Sequence, residues 1–595
     1  MQPFIRFLAI GWTAVLMISS PAWAESSGAP IAWRTAWNQE LFTEAAREHR
    51  FVLLDLHAVW CHWCHVMDEE TYANPRVRAL LRLRYLPVTI DADADPNLSS
   101  RYGDWGWPAT IVLAADGTEI VKRRGFLPPA EMVAMLQAII DDPTPGPSVA
   151  NMKLAHAQTS ALAAEQRSTL LHVYNELYDT TNGGWGNVHK YIDAPTMEYT
   201  LDAARQGDET AARRARQTLD ANLHLIDPLW GGVYQYSDSE DWSSPHFEKL
   251  LAFQADDLRL YAESYALWRE PKYLQAALAL RDYMVRYLRS PEGAFYVSQD
   301  ADLSAQVTGH DYYAKDEAGR RQLGVPPIDV HRYSRENGWA IRALCKLYDV
   351  GGDDAALEAA SRAADWVLAN RALPGGGFRH DAGDIGGPFL DDTVSMGQAF
   401  LSLYRSTGER RRLAQAREAM DFLLHHFRDP QQGFFSAPAP AGARGVFRDP
   451  VHSVDQNAEV ARFANMLYRY TDDGAYRKAA RQAMKFLVAS AAAESQQLHA
   501  DILLADSEVG AAPIHITIVG GKSDPRAQAL HAAALRYPAG YLQVDWWDRT
   551  EGPLPNPQIQ YPALERAAAF ACTQSTCSTP VFEADALQAA VRAAL

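Results

Sequence analysis

The sequence predicts a multidomain chain: an N-terminal α/β domain, an all-α body of paired helices closing into a toroid, and a small C-terminal α/β appendage. Three observations predict it. A short apolar strand pattern runs directly into a Cys-x-x-Cys, a long series of amphipathic helical patterns follows a Pro/Gly-rich break, and a strand and helix pattern returns near the C-terminus. At 595 residues the chain is too long for one ordinary core. Its formal net charge of −17 argues against a nucleic-acid surface, because phosphate neutralisation needs clustered positive charge. Five cysteines are too few for a disulfide-built scaffold, so sulfur chemistry must lie in particular pairs.

The first element reads as an address. Arg6 precedes an apolar run from Phe7 to Ile18, then Ser19, Ser20, Pro21 and the small-x-small triplet Ala22-Trp23-Ala24. This is the pattern of a secretory signal peptide over residues 1–24. The run falls short of the roughly 20 apolar residues a membrane span needs. The mature chain is expected to be periplasmic or secreted, with no membrane association after cleavage, where disulfides persist.

The α/β domain is expected over residues 25–147. Phe51 to Leu56 has the composition of a strand buried on both faces, and it leads into Cys61-His62-Trp63-Cys64. A cysteine at the start of a helix meets unpaired N–H groups and partial positive charge, which favour a thiolate. Cys61 is therefore the expected nucleophile and Cys64 the resolving thiol, with His62 placed to add positive charge. Further strands are expected at Leu86–Ile90, Ile111–Leu113 and Glu119–Lys122, the last pair joined by the turn signal Asp116-Gly117. This order resembles thioredoxin. The resemblance implies a buried acid at Asp55 and a cis proline at Pro108, after Trp107, shaping a substrate groove beside the sulfurs. A zinc site using His62 and His65, or an inert cysteine pair, are the alternatives; no second ligand pair with convincing zinc spacing accompanies the motif.

Asp142 to Ser148 is Pro/Gly-rich and marks the first domain boundary, with the helical body over 150–505. Helical patterns run at 160–177, 210–225, 249–268, 272–288, 337–348, 355–370, 391–407, 411–426, 455–470 and 475–489, most with one apolar face. Turns that combine glycine with an aromatic recur at Asn182, Trp230, Pro291, Pro374 and Gln432. Units that bury their faces only against neighbours suggest a closed ring of hairpins, with these turns lining one mouth; an open solenoid is the alternative. Pocket candidates follow the turns: Tyr236, Asp238, Asp241, Trp242, His246, Glu248 and Lys249; Gln299, Asp300 and Asp302; His380, Asp391 and Asp392. Such carboxylates across a cleft could cleave glycosides, and paired histidines could epimerise a sugar; equally, they could cap helices and balance arginines. Residues 506–595 form the appendage, with a strand near 513–521 and a helix over 525–535, and no phosphate-loop spacing. Cys345 lies on an apolar helical face and reads as core.

Several motifs together resemble the spermatogenesis-associated protein 20 family: Cys61 to Met67, Gly106-Trp107-Pro108, Pro245 to Leu251, Ser298 to Asp302, Leu390-Asp391-Asp392, and Cys572 with Cys577-Ser578-Thr579-Pro580. The resemblance implies a thioredoxin-like domain ahead of an (α/α)6 toroid like that of six-hairpin glycosidases and N-acylglucosamine 2-epimerases. It defines no reaction. In an exported chain Cys572 and Cys577 could form a disulfide. The sequence departs from the family pattern at Asp91 to Asn97, at Lys190-Tyr191 and in a short segment between Asp302 and His310. The expected function is a thiol–disulfide oxidoreductase whose barrel binds the substrate, with catalytic Cys61, Cys64, His62, Asp55 and Pro108. Trp107, His246, Glu248, Lys249, Asp300, Asp302, Asp391 and Asp392 are the expected substrate-binding residues. Partners would be a polypeptide thiol or disulfide substrate or a redox protein, with a carbohydrate ligand possible in the barrel and no nucleic acid. No cofactor or metal is expected. The alternatives are a carbohydrate-active barrel with a structural or regulatory thioredoxin-like domain, and a non-catalytic binding protein.

Overall fold

The computed structural model describes residues 30–149, 156–186, 188–383, 387–431, 433–439, 442–493, 496–562, 564–572 and 577–594. The signal-peptide segment 1–24 lies outside the described residues.

The first domain is a four-stranded sheet of β1 (Phe51–His57), β2 (Tyr85–Asp91), β3 (Ala109–Leu113) and β4 (Glu119–Arg124), ordered β2-β1-β3-β4. β1 and β2 are parallel, and the other pairs are antiparallel. Helices α1 (Gln39–Glu48), α2 (His62–Val66), α3 (Pro75–Arg84), α4 (Pro96–Tyr102) and α5 (Pro129–Asp141) surround it. The period-two rule divides β1 between two cores: Val52, Leu54 and Leu56 pack with Leu41 and Phe42, while Leu53 packs with Val77, Leu81 and Met132. Asp55 points to the second side and is buried there. Asn38, Asn74 and Asp95 cap α1, α3 and α4 through their side chains. The segment after α5 lies along the sheet edge, where Gly146 N–H donates to Ile120 O at 2.9 Å and Ser148 Oγ accepts from Lys122 N–H at 3.0 Å.

The body is a closed toroid. Among the described residues, outer helices α6 (Ala164–Glu176), α8 (Glu209–Asn222), α10 (Pro271–Tyr283), α14 (Asp354–Arg371), α16 (Arg410–His426) and α18 (Gly474–Ala493) alternate with six inner ones. The inner helices are α7 (Ala194–Arg205), α9 (Leu251–Trp268), α13 (Ser334–Gly351), α15 (Leu390–Thr407), α17 (Val454–Thr471) and α19 (Ala500–Gly510); two short helices, α11 (Gly309–Tyr313) and α12 (Glu317–Leu323), precede α13. Each inner helix packs on the next, and α19 returns to α7, so the ring closes rather than running on as a solenoid. Helices α7 and α19 are additions to the sequence reading. Short ladders edge the mouth: β5 (Tyr236–Ser237) with β6 (Pro245–His246), and β7 (Lys249–Leu250), β8 (Ser298–Gln299) and β9 (Ile328–Asp329) in order β7-β8-β9.

The ring's axis is filled by charge. Arg462 binds both Glu508, at 2.8 Å, and Glu198. Arg259 reaches Glu198 at 3.0 Å, and Arg205 reaches Glu263 at 3.0 Å. Glu198, Arg259, Glu263, Arg462 and Glu508 line a cavity of about 130 Å³. The appendage closes that end with β10 (Ile514–Val519), β11 (Leu542–Trp547), β12 (Ala568–Cys572), α20 (Pro525–Leu535) and α21 (Ala584–Ala594). Tyr404 of α15 donates to Asp545 of β11 at 3.0 Å. A Cys572–Cys577 disulfide lies at the end of β12, and Cys345 is a buried free thiol.

Ring closure depends on small residues where inner helices cross. A Cβ at Gly338 of α13 would sit 2.7 Å from the Ser395 carbonyl carbon and 2.8 Å from its Cβ, on α15. Gly338→Leu should cost about 1–3 kcal/mol or more, read as a lowered urea midpoint; an unchanged midpoint would show that the crossing tolerates separation.

Candidate functional site

The α/β domain sits on the toroid mouth formed by the N-terminal ends of inner helices. Cys61 is the N-cap of α2, its Sγ accepting from Cys64 N–H at 3.2 Å, and the two cysteines form a disulfide. Trp107-Pro108 is a cis peptide, and Trp107 packs in the same cluster as both cysteines. Leu250 and Phe253 of the toroid complete that cluster, so Cys61 and Cys64 are each only 4% exposed.

Polar contacts frame the disulfide. His62 Nδ1 lies 2.8 Å from Asp302 Oδ2, and His62 N–H donates to Glu248 Oε1 at 3.3 Å. The bond to Asp302, against opposing burial, raises the His62 pKa. Burial works against Asp302 as well, but hydrogen bonds from His62 and Gly309 outweigh it and hold the carboxyl below its usual range. Burial pushes Asp300 up to about 6 and raises Glu248. His65 Nε2 stands 3.1 Å from Val59 O and 4.0 Å from Asp300 Oδ2. Ligand atoms of His65, Asp300 and Asp302 all lie within 4.8 Å of one another. His62, expected beside a thiolate, is thus turned toward a toroid carboxylate.

A second group lies where the loop after β2 meets the mouth. Trp60 Nε1 donates to Asp93 Oδ2 at 2.7 Å, and His380 joins Asp93 O at 2.7 Å to Asp392 Oδ1 at 2.9 Å. Burial would lower the His380 pKa, but Asp392 outweighs it and carries it to about 9. Asp391 accepts from Gln456 at 2.8 Å, and burial pushes its carboxyl up to about 7. Asp329 Oδ2, Tyr333 OH, Glu336 Oε2 and Asp392 Oδ2 are buried without a protein hydrogen-bond partner.

The expected residues therefore divide. Trp107, Glu248, Asp300 and Asp302 gather with Cys61, Cys64 and His62, while Asp391 and Asp392 belong to the second group. His246 pairs with Asp238 at 2.6 Å and stacks on Tyr236. Lys249 does not join the seam: its ammonium is buried against Asp227 at 2.8 Å, and burial lowers it to about 8. Trp242 is packed core. The sequence reading did not single out Leu250, Phe253, Asp329, Tyr333 or Glu336 as individual site residues. Leu250 adjoined a chosen site residue, but nothing local marked it as facing sulfur.

Asp55 is buried below the motif, accepting from Tyr72 OH at 3.1 Å and from Thr89 at 3.3 Å. Burial, then the charge of Asp68, raises it from 3.8 to about 7. Between those values the folded chain keeps a proton that the unfolded chain has released. This group therefore favours folding below about pH 4, and that advantage is lost as pH rises to about 7. Asp55→Asn should flatten this decline and raise stability at pH 8 by at most about 4 kcal/mol, measured by denaturant titration across pH.

Comparisons with known proteins agree with this layout. Residues 15–141 match the family described as "Protein of unknown function, DUF255", and 336–492 match "Beta-L-arabinofuranosidase, GH127 catalytic domain". Spermatogenesis-associated protein 20 of Mus musculus is 25% identical over 319 residues, covering 48% of this chain and 40% of that protein. The Homo sapiens protein is 26% identical over 318 residues with the same coverage, so the chain matches well under half the length of these relatives. Thiol:disulfide interchange protein DsbD 2 of Pseudomonas aeruginosa is 40% identical over 83 residues, 13% of this chain and 14% of that protein. Among solved structures, the cellobiose 2-epimerase of Bacillus thermoamylovorans is 13% identical with a TM-score of 0.45, covering 54% of this chain and 86% of that one. The chain is a homologue of the spermatogenesis-associated protein 20 proteins, with a DUF255 thioredoxin-like domain ahead of an (α/α)6 toroid.

Proposed function

We propose that the chain is an exported thiol–disulfide oxidoreductase whose toroid acts as the substrate-binding domain. The observation that carries this reading is the Cys61–Cys64 disulfide at the N-terminus of α2, with Cys61 Sγ held by the Cys64 N–H. That environment favours a thiolate on Cys61 after reduction. The reduced Cys61 thiolate attacks one sulfur of a substrate disulfide, forming a mixed disulfide and releasing the other substrate sulfur as thiolate. Cys64, deprotonated, then attacks Cys61 Sγ and expels the second substrate thiolate. Two electrons have passed to the substrate, and the Cys61–Cys64 disulfide is regenerated. The reverse sequence oxidises a substrate dithiol. A polypeptide or a redox partner protein suits such exchange, and both disulfides suit a periplasmic or secreted location. No helix among the described residues is long and apolar enough to cross a membrane.

A second reading has an observation of its own. The unpartnered polar atoms of Asp329, Tyr333, Glu336 and Asp392 are the kind of groups that bind a sugar's hydroxyls, which favours a carbohydrate ligand in the mouth.

Cys61→Ser should abolish thiol–disulfide exchange, and Cys64→Ser should accumulate a defined set of mixed disulfides. Undiminished exchange by Cys61→Ser would sink the oxidoreductase reading. Loss of sugar turnover on Asp392→Asn, with Cys61 dispensable, would favour the second. Because Leu250 and Phe253 cover the sulfurs, Phe253→Ala should speed reduction of Cys61–Cys64 by a small thiol several-fold, followed by quenched-flow alkylation. An unchanged rate would show that the toroid does not limit access.

A further inference from the structure

His65, Asp300 and Asp302 have no step in thiol exchange, yet the two domains bring them together. His65 comes from α2, while the acids follow β8 on the toroid. The 4.0 Å between His65 Nε2 and Asp300 Oδ2 is too long for a hydrogen bond. It is close to twice a metal–ligand distance of about 2.0–2.2 Å. One atom from each of the three residues lies within 4.8 Å of the others, a spread that small side-chain adjustments would bring onto one ion, with His65 Nε2 giving up its proton and its 3.1 Å contact with Val59 O to the ion.

The surroundings orient these groups as ligands are oriented. Asp302 takes a hydrogen bond at each oxygen, from Gly309 N–H at 2.6 Å and in its contact with His62 at 2.8 Å. Asp300 Oδ1 accepts from Asp302 N–H at 3.0 Å, leaving Oδ2 toward His65. Ligating carboxylates are held in place in this manner by their own hydrogen bonds. An independent observation points to the same place. Glu248 is 3% exposed, its Oε1 is committed to His62 N–H, and its Oε2 is buried without a hydrogen-bond partner, with His246 Nδ1 3.9 Å away. Its charge acts on both His62 and Asp300. Three carboxylates thus crowd one seam, one with an unused buried oxygen.

The geometry points to a divalent-cation site at this seam, with His65, Asp300 and Asp302 as ligands and the Glu248 carboxylate adjoining them through His62. One imidazole with oxygen donors suits Zn²⁺ or Mn²⁺. Since the ligands come from both domains, the cation binds only the docked arrangement and fastens the α/β domain over the mouth.

Calorimetric titration of EDTA-treated, oxidised full-length protein with ZnCl2, and with MnCl2 in parallel, tests this. The expected result is one cation per chain and a raised melting temperature. His65→Gln and Asp300→Asn should each weaken binding by about tenfold or more, while exposed Glu358→Gln on outer helix α14 leaves it unchanged. Matching circular dichroism and melting of the metal-free variants establishes that they fold. Absence of saturable binding to the wild type by either ion overturns the site, as does binding that survives both seam substitutions.

Discussion

A ring of helices leaves a hole along its axis, and the rest of this structure answers that constraint. Six inner helices close on one another, so their inward side chains face neither a hydrophobic core nor bulk water. The chain fills the axis with interlocked ions: Arg462 between Glu198 and Glu508, and Arg259 between Glu198 and Glu263. A buried charge is costly alone, and each of these is tolerable because it is paired, Arg259 with Glu263 within α9 and the others across neighbouring helices. The appendage seals one end of the axis, and the α/β domain seals the other.

That second seal gives the site its character. Side chains alternate from Glu248 into β7, so Glu248 and Leu250 reach the disulfide side and Lys249 turns to Asp227 beneath the mouth. The disulfide lies between an apolar toroid patch and an acidic one, while the loop after β2 enters the mouth beside His380. The residues around the sulfurs are contributed by both domains, and neither domain alone reproduces their electrostatics.

The sequence made the outer architecture legible because outer helices have one apolar face and one wet face. Four inner helices, α9, α13, α15 and α17, were legible as well, whereas in α7 and α19 polar groups facing the axis blur the 3.6-residue pattern. In α7 the buried residues include Thr196, Glu198 and Thr200, and in α19 they include Asp506 and Glu508. Asp193 capping α7 ahead of Pro195 was the available signal. In the appendage β10 was legible, whereas β11 is interrupted by Gln543 and Asp545, and β12 is largely alanine. Cys61, Cys64, Asp55 and Pro108 could be read because their meaning lies in local order. The company they keep could not: His62 and Glu248 are 186 residues apart in the chain, and Trp60 and Asp93 meet through a loop whose only mark was its charge.

The toroid also sends one aromatic back into the sheet domain. Phe447 sits in the same core as Leu41, Phe42 and Val52, 5.1 Å from Trp37 by ring centroids, and Val446 N–H donates to Gly117 O at 3.3 Å. The sheet domain's core is therefore completed by a residue from more than 330 positions downstream. Cutting the connecting segment would not by itself give two free modules, because the pieces remain joined through a shared core. Conversely, the sheet domain leaving the ribosome first emerges with a gap where Phe447 belongs, and its final packing waits until most of the ring has been synthesised.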